Sequence, residues 1–258
     1  MKKKLIFYSI LFILSIIVIS ISLMIGTVKI SPGDFISSIF GDDNIIRKII
    51  FDFRLPRVLV AFTVGASLAV SGVVFQAILK NPLSDPFTLG ISSGAGLGAA
   101  IPIILTLSTV YISLGALIGS IGVSLFIYFV SKRRHFGSTS LILAGVSIGF
   151  IASAAIMLLF ALSSASSVQK VFLWMTGDLS IARYSLLWNL LPLSFVIIGI
   201  LFLYHRHMDI IAFGNEFAKT AGVTEKNIIT LFWLGSILAG ISVSLVGIIG
   251  FIGLVVPH

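Results

Sequence analysis

The sequence predicts an all-α fold: a polytopic transmembrane helical bundle forming one domain across residues 1–258. Three observations carry this. Only 10% of the residues are charged and the mean hydropathy is +1.17, whereas a soluble domain carries about a quarter charged residues. Seven runs free of Asp, Glu, Lys and Arg reach bilayer length, since about 20 helical residues cross the hydrocarbon core. Glycine, at 24 residues, recurs at four-residue spacing in several of those runs, which lets helix backbones approach in lipid. The absence of cysteine removes disulfides, thiolate metal sites and cysteine nucleophiles together. The net charge of +8 sits at the ends of apolar runs, so it reads as a topology signal rather than a nucleic-acid surface.

In chain order, Lys2–Lys4 precede the first run, Leu5–Ile25. Its length and the lack of a small-x-small cleavage site near Gly26 favour a retained helix over a signal peptide. A polar connection, Thr27–Arg57, follows, with Pro32, Gly33, Asp34, the Asp42–Asp43 pair and the basic residues Arg47, Lys48, Arg54 and Arg57. The remaining runs are Val58–Leu79, Phe87–Leu107, Tyr111–Val130, Leu141–Leu162, Leu186–Tyr204 and Ile228–Gly247. The last apolar stretch, Ile248–His258, is too short to cross as a helix, and the chain reads as the front part of a longer protein.

With the N-terminus inside, the inner segments hold Lys2, Lys3, Lys4, Lys80, Lys132, Arg133, Arg134, Arg206, Lys219 and Lys226, and the outer ones hold Lys29, Arg47, Lys48, Arg54, Arg57, Lys170 and Arg183. The inner excess, with both tight clusters KKK and KRR on that side, satisfies the positive-inside rule. The N-terminus and the loop 205–226 are then cytoplasmic, and Thr27–Arg57 and Ser163–Arg183 face outward. In that outer loop Arg54 and Arg57 flank Pro56, a residue suited to the first turn of a helix. They would place two guanidinium groups at a helix mouth, either snorkelling to lipid phosphates or presenting paired cations to a carboxylate partner outside, because Arg makes bidentate contacts.

Gly94/Gly98, Gly115/Gly119 and Gly145/Gly149 predict close helix contacts. Pro102 and Pro192 predict kinks or irregular segments. Asn81–Gly98, NPLSDPFTLGISSGAGLG, predicts a tight cytoplasmic turn leading into a close-packed helix. The polar loop His205–Lys226 predicts a docking knob of two short helices: one capped by Asp209 and closed by Gly214, the other, Glu216–Ala221, capped by Asn215 and ended by Gly222.

Several chemistries are missing. There is no G-x-x-x-x-G-K-[ST] loop, and GAGLGA at Gly94–Ala99 lacks the flanking strand and spacing of a dinucleotide site. His135, His205 and His207 lie beside basic clusters, so neither a metal nor a cofactor is expected. No assigned span contains Asp, Glu, Lys, Arg or His; Gln76 and Asn189 are neutral. Ion-driven transporters commonly carry such groups at membrane depth, so motion is expected to be powered from elsewhere, unless a C-terminal part beyond residue 258 supplies the ionisable group.

RLPR at Arg54–Arg57, NPLSDPFTLGISSGAG at Asn81–Gly96, LAGVSIG at Leu143–Gly149, W-x-x-G at Trp174–Gly177, AFGNEFAKTAGV at Ala212–Val223 and GFIGLVVPH at Gly250–His258 together resemble the FecCD-like permeases of ABC importers for ferric siderophores, haem and vitamin B12. The resemblance runs from about residue 26 to the last residue with the motifs in the family's order. It implies a ten-helix fold, of which about seven complete spans are present, acting as a homo- or heterodimer with a second permease subunit in the plasma membrane. It also implies cytoplasmic ABC ATPase subunits below and an extracytoplasmic substrate-binding protein above. By position, Gly214, Glu216, Ala218 and Gly222 match the segment that couples to the ATPase, Arg54 and Arg57 match the arginines that dock the binding protein, and Asn81, Pro82 and Gly90 match a motif near the pathway. Asp178 stands where the family usually continues W-x-x-G with a smaller residue.

The resemblance implies a non-enzymatic permease subunit importing an iron chelate, with ferric siderophore the commonest use and haem or vitamin B12 sharing the scaffold. Its rivals are an ion-coupled secondary transporter, which would need ionisable groups at membrane depth, and an intramembrane enzyme, which would need a catalytic pair such as Ser–His inside a span.

Overall fold

A computed structural model describes residues 2–40, 45–133, 137–180 and 182–258; the side chains of residues 2–5, 39, 40, 186, 189, 215 and 216 lie outside that description. The Asp42–Asp43 pair, Arg134, His135 and the side chains of Asn189, Asn215 and Glu216 therefore fall outside the described residues. The chain divides into two units, residues 1–62 with 179–188, and residues 63–178 with 189–258.

The first unit contains α1 (Lys2–Met24), α2 (Pro32–Phe40), α3 (Ile45–Lys48), a π-helix (Ile49–Arg54) and the first turns of α4 (Leu55–Leu79). Helix α1 exposes Phe7, Phe12, Ile13 and Leu14, a side-chain set that only a hydrocarbon environment tolerates over such a length. Ser31 starts α2: its Oγ accepts from the Asp34 amide at 3.1 Å and donates to the Asp34 carboxylate at 2.8 Å, with Pro32 at the first helical position.

The second unit contains the rest of α4, then α5 (Ile91–Ile104), α6 (Thr109–Lys132), α7 (Ser138–Ala161), α8 (Ala165–Met175), the body of α9 (Tyr184–Leu203), α10 (His205–Ala212), α11 (Asn215–Thr220), α12 (Glu225–Val246) and α13 (Ile252–Val255). Its core is made of small side chains: Ala95, Ala99 and Ala100 of α5, Ala116 of α6, Val171 of α8 and Val243 of α12. Small residues bring the helix axes close, which replaces the hydrophobic driving force that lipid does not supply. The glycine pairs do as their spacing predicts. A Cβ on Gly98 would overlap the Gly115 carbonyl oxygen, and one on Gly119 would overlap the Gly94 carbonyl, so α5 and α6 cross antiparallel with backbones touching. Helix α4 packs on α12 through Phe75 and Phe232, edge to face at 6.1 Å, and through the Ser71 hydroxyl, which donates to the Gly235 carbonyl at 2.8 Å.

All seven apolar runs are helical. Among the described residues, five helices are long and apolar enough to cross a membrane, and Leu190–Leu203 with His205–Ala212 forms a bent pair at 58°. The seventh, α5, is shorter than the run Phe87–Leu107 that contains it, because Asp85–Gly90 is spent on turns: the Gly90 amide bonds Phe87 O at 2.9 Å and Gly90 adopts φ +73 before the helix begins. Pro102 and Pro192 both lie inside helices, α5 and α9. Buried hydroxyls within the spans bond back to their own helices, as Ser67 does to Thr63 O and Ser242 to Leu238 O, at 2.8 and 2.9 Å.

Candidate functional site

The knob at His205–Lys226 exists, with its caps displaced. Helix α10 starts at His205, directly after Tyr204, so Asp209 lies inside it rather than capping it. Gly214, at φ +128, breaks the chain and is itself the N-cap of α11, which makes Asn215 the first helical residue rather than the cap. The reason is the bend at Tyr204: α9 is carried into α10 almost without a break, and the free carbonyls of Leu201 and Tyr204 are met by the Tyr204 and Met208 amides at 3.0 and 3.1 Å. The far end follows the sequence closely. Gly222 adopts φ +83, its amide bonds Lys219 O at 3.1 Å and the Val223 amide bonds Ala218 O at 2.9 Å. That pair of bonds is a Schellman closure, and the accompanying apolar contact positions, Ala218 and Val223, are both buried.

Two residues of this knob carry no sequence expectation. Phe213 is 79% exposed and Phe217 55%, with their rings edge to face at 6.0 Å. Exposed aromatics four residues apart in a polar loop form an anchor of the kind that fills a partner's pocket. The signal was present as two Phe residues on either side of the polar Gly214–Glu216.

The structure brings Asn81 and Pro82 to α10. Together with Gln76, Lys80, Met208 and Asp209 they line a cleft of about 360 Å³. Asn81 is held in place by local bonds: its amide closes α4 on Gln76 O at 3.3 Å, with Lys80 left-handed at φ 54, and its Oδ1 accepts from the Leu83 amide at 2.9 Å. Gly90 is at the other end of the same turn, against α7. A Cβ there would stand 2.8 Å from the Gly145 carbonyl oxygen, so this glycine joins α5 to the LAGVSIG helix rather than to the cleft.

Between them lies Asp85, which is buried and whose Oδ1 accepts from the amides of Phe87 and Thr88 at 2.9 and 2.8 Å. Burial raises its pKa above the ordinary carboxylate value, and the Thr88 and Phe87 amides offset this only in part. An acid whose folded pKa is raised binds more protons folded than unfolded, so its ionisation costs stability as pH rises through the raised value, and the fold is favoured below it. Asp85→Asn keeps the acceptor and removes the charge; the variant's melting temperature is expected to lose the Asp85-dependent fall that sets in as pH rises above the ordinary carboxylate range. Asp85→Ala loses both bonds and is expected to cost about 1–2 kcal/mol. Equal pH slopes for native and Asn chains in detergent would contradict this.

Arg54 and Arg57 do not lie at a helix mouth. Helix runs from Ile45 through the π-turn into α4, and the Leu55 amide bonds Ile50 O in the π register. The wider turn has a local cause: Pro56 supplies no amide, and its ring needs room in the preceding turn. The Phe51 carbonyl is met instead by the Tyr184 hydroxyl, which donates at 2.7 Å; Tyr184 is a third residue without a sequence expectation. Arg54 turns toward its own unit. Its Nη1 donates to Leu23 O and Met24 O at 2.8 and 2.9 Å, and its Nη2 donates to Val28 O, so it caps the C-terminal end of α1, where a cation is favoured. Arg57 is exposed.

The W-x-x-G segment is joined to the end of α12: the Asp178 amide bonds Val246 O at 2.8 Å, and Gly177 and Gly247, both left-handed in φ, pack against each other.

Against known proteins, residues 13–258 match the model of the FecCD transport family. The chain is 39% identical to the haemin transport system permease of Yersinia pestis over 216 residues, covering 80% of this chain and 64% of that protein. It is 30% identical to the Fe(3+)-citrate import system permease of Bacillus subtilis, covering 100% and 78%, and 34% identical to the vitamin B12 import system permease of Escherichia coli, covering 95% and 74%. A solved structure described as an inward-facing conformation of a metal-chelate type ABC transporter superposes with a TM-score of 0.85 at 28% identity, covering 98% of this chain and 79% of that one. With the fold, the ordered motifs and the family model in agreement, the chain belongs to the FecCD transport family.

Proposed function

We propose that the chain is the permease subunit of an ABC importer and passes an iron chelate, a ferric siderophore first and haem or vitamin B12 as related cargoes, into the cytoplasm by ATP-driven alternating access. The observation that carries this reading is the α10–α11 knob: a folded, Schellman-closed element with two exposed aromatics, seated beside the Asn81–Pro82 turn. Cytoplasmic ATPase subunits engage it around Gly214, Glu216, Ala218 and Gly222, and the similarity to haem, iron-citrate and B12 permeases supports the cargo class. The inner excess of basic residues puts the N-terminus and this knob in the cytoplasm. A second permease subunit completes the path.

Uptake of a radiolabelled ferric siderophore, by cells making this protein with its ATPase and binding protein, is expected to stop on ATP depletion and to survive an uncoupler. Uptake that survives ATP depletion but not the uncoupler would favour ion-coupled secondary transport.

On the outer side, Arg57 is the docking cation for the binding protein. Arg54 spends three of its five N–H donors on the end of α1, so it positions the surface and has two left to offer. Arg57→Glu is expected to weaken binding-protein pull-down about tenfold at low salt and to flatten its salt dependence, with the melting temperature unchanged. Arg54→Glu is expected to lower both binding and melting temperature. Unaltered pull-down by the Arg57 variant at low salt would sink the docking role.

A further inference from the structure

The π-turn ahead of α4 is one of two registers open to the same residues. Helix runs without a break from Ile45 to Leu79, and one widened turn, Ile49–Arg54, interrupts its α register. In that turn the Phe51 carbonyl has no backbone donor. Five residues on stands Pro56, which has no amide, and four residues on stands Leu55, whose amide is bonded to Ile50 O. The Tyr184 hydroxyl, at 2.7 Å, takes the vacant place. In an unbroken α-helix the Leu55 amide would pass to Phe51 O and the Arg54 amide to Ile50 O, so both amides have a partner in either register. What the α register loses is the Tyr184 bond and the bonds from Arg54 to the end of α1.

The registers differ in where Arg54 stands. Residues three apart on an α-helix share a face, so the α register sets the guanidinium groups of Arg54 and Arg57 side by side. The widened turn instead carries Arg54 onto Leu23 O, Met24 O and Val28 O. Straightening it adds the step of one residue between Ile45 and α4, about 100° of rotation and about 1.5 Å of rise. We propose that Tyr184 is a positioning residue for the outer docking surface. Its bond to Phe51 O holds the π register and keeps Arg54 on α1; an acidic partner docking at Arg57 draws the helix into the α register, where both arginines meet it. This rests on the docking reading above. The end of α1 is not left bare when Arg54 leaves, because Met24 O keeps the Ile30 amide, at 3.3 Å.

The sign of the Tyr184→Phe effect separates a latch from a simple brace. Removing the hydroxyl takes one hydrogen bond from the π register alone, so retention of the binding protein on the tagged chain at low salt is expected to rise about two- to fivefold and to fall more steeply with added salt. Arg54→Gln in the same chain is expected to cancel the rise. A brace predicts the opposite sign: a Tyr184→Phe chain that binds no better than the native one, or a gain that survives Arg54→Gln, would overturn the proposal. A second measurement needs no partner. The chain has no cysteine, so spin labels at Ile45→Cys and Phe62→Cys, both exposed and on either side of the turn, report its register by their separation. Tyr184→Phe is expected to add a second, longer distance to that of the otherwise native chain, and an unchanged distance distribution would overturn the proposal as well. A second distance in a chain that retains no binding protein would refute the docking reading and leave the register switch standing.

Discussion

Gly98→Val is expected to abolish the folded permease. The added Cβ overlaps the carbonyl oxygen of Gly115 on α6, and a backbone oxygen cannot rotate aside as a side-chain terminus can. Either α5 and α6 separate, which opens the small-residue core of Ala95, Ala99, Ala100 and Ala116, or the α6 hydrogen-bond ladder distorts. Both routes cost about 3 kcal/mol or more, the upper end of overpacking effects. Gly122→Ala, on the facing helix α6 with nothing within 4 Å of its Cβ position, is the control and is expected to be neutral or to stabilise by up to about 1 kcal/mol through helix propensity. The yield of monodisperse protein in mild detergent and its thermal melting distinguish the two. A Gly98→Val chain that melts with the native one would mean that α5 and α6 do not touch as described.

Glu216→Arg is expected to uncouple transport while leaving the fold intact. Glu216 is the second residue of α11, where a negative charge is favoured by the free amides of the helix N-terminus, and in sequence it falls between Phe213 and Phe217, which are both exposed. A reversed charge there disfavours the helix start by a few tenths of a kcal/mol to about 1 kcal/mol, too little to unfold a bundle. The same reversal at the centre of a protein contact costs several kcal/mol of like-charge repulsion and desolvation. Uptake is expected to fall more than about tenfold with the melting temperature shifted by only a few degrees. Phe213→Ala with Phe217→Ala is expected to act in the same direction by removing the aromatic anchor.

How much was legible depended on which physics set each feature. Periodicity and apolar length placed the spans because bilayer thickness leaves few alternatives, and the Gly94/Gly98 and Gly115/Gly119 spacing foretold a contact that only small residues allow. Gly222 was legible because left-handed closure is a local requirement. The start of the knob was not: Asp209 and Asn215 are good caps in isolation, but the 58° bend at Tyr204 joins α10 to α9 and shifts each boundary. The helix mouth at Arg54–Arg57 failed for a related reason. Pro56 favours a first turn locally, yet a π-turn accommodates it, and Tyr184, far away in sequence, takes the carbonyl left over. Arg54 as a cap for α1 depends on a contact between residues 26 to 31 apart, which no local pattern encodes. The role of Phe213 and Phe217 was visible in composition but eclipsed by the polar residues around them.

The central claim is that work enters through the α10–α11 knob from a separate ATPase, and co-purification tests it most directly. The ATPase subunit should be retained on the tagged native chain in detergent, and its retention should fall more than about tenfold on Glu216→Arg chains that are equally folded by melting. ATPase retained to the same extent on the Glu216→Arg chain, with uptake also unchanged, would contradict the claim and return the knob to the status of an exposed loop.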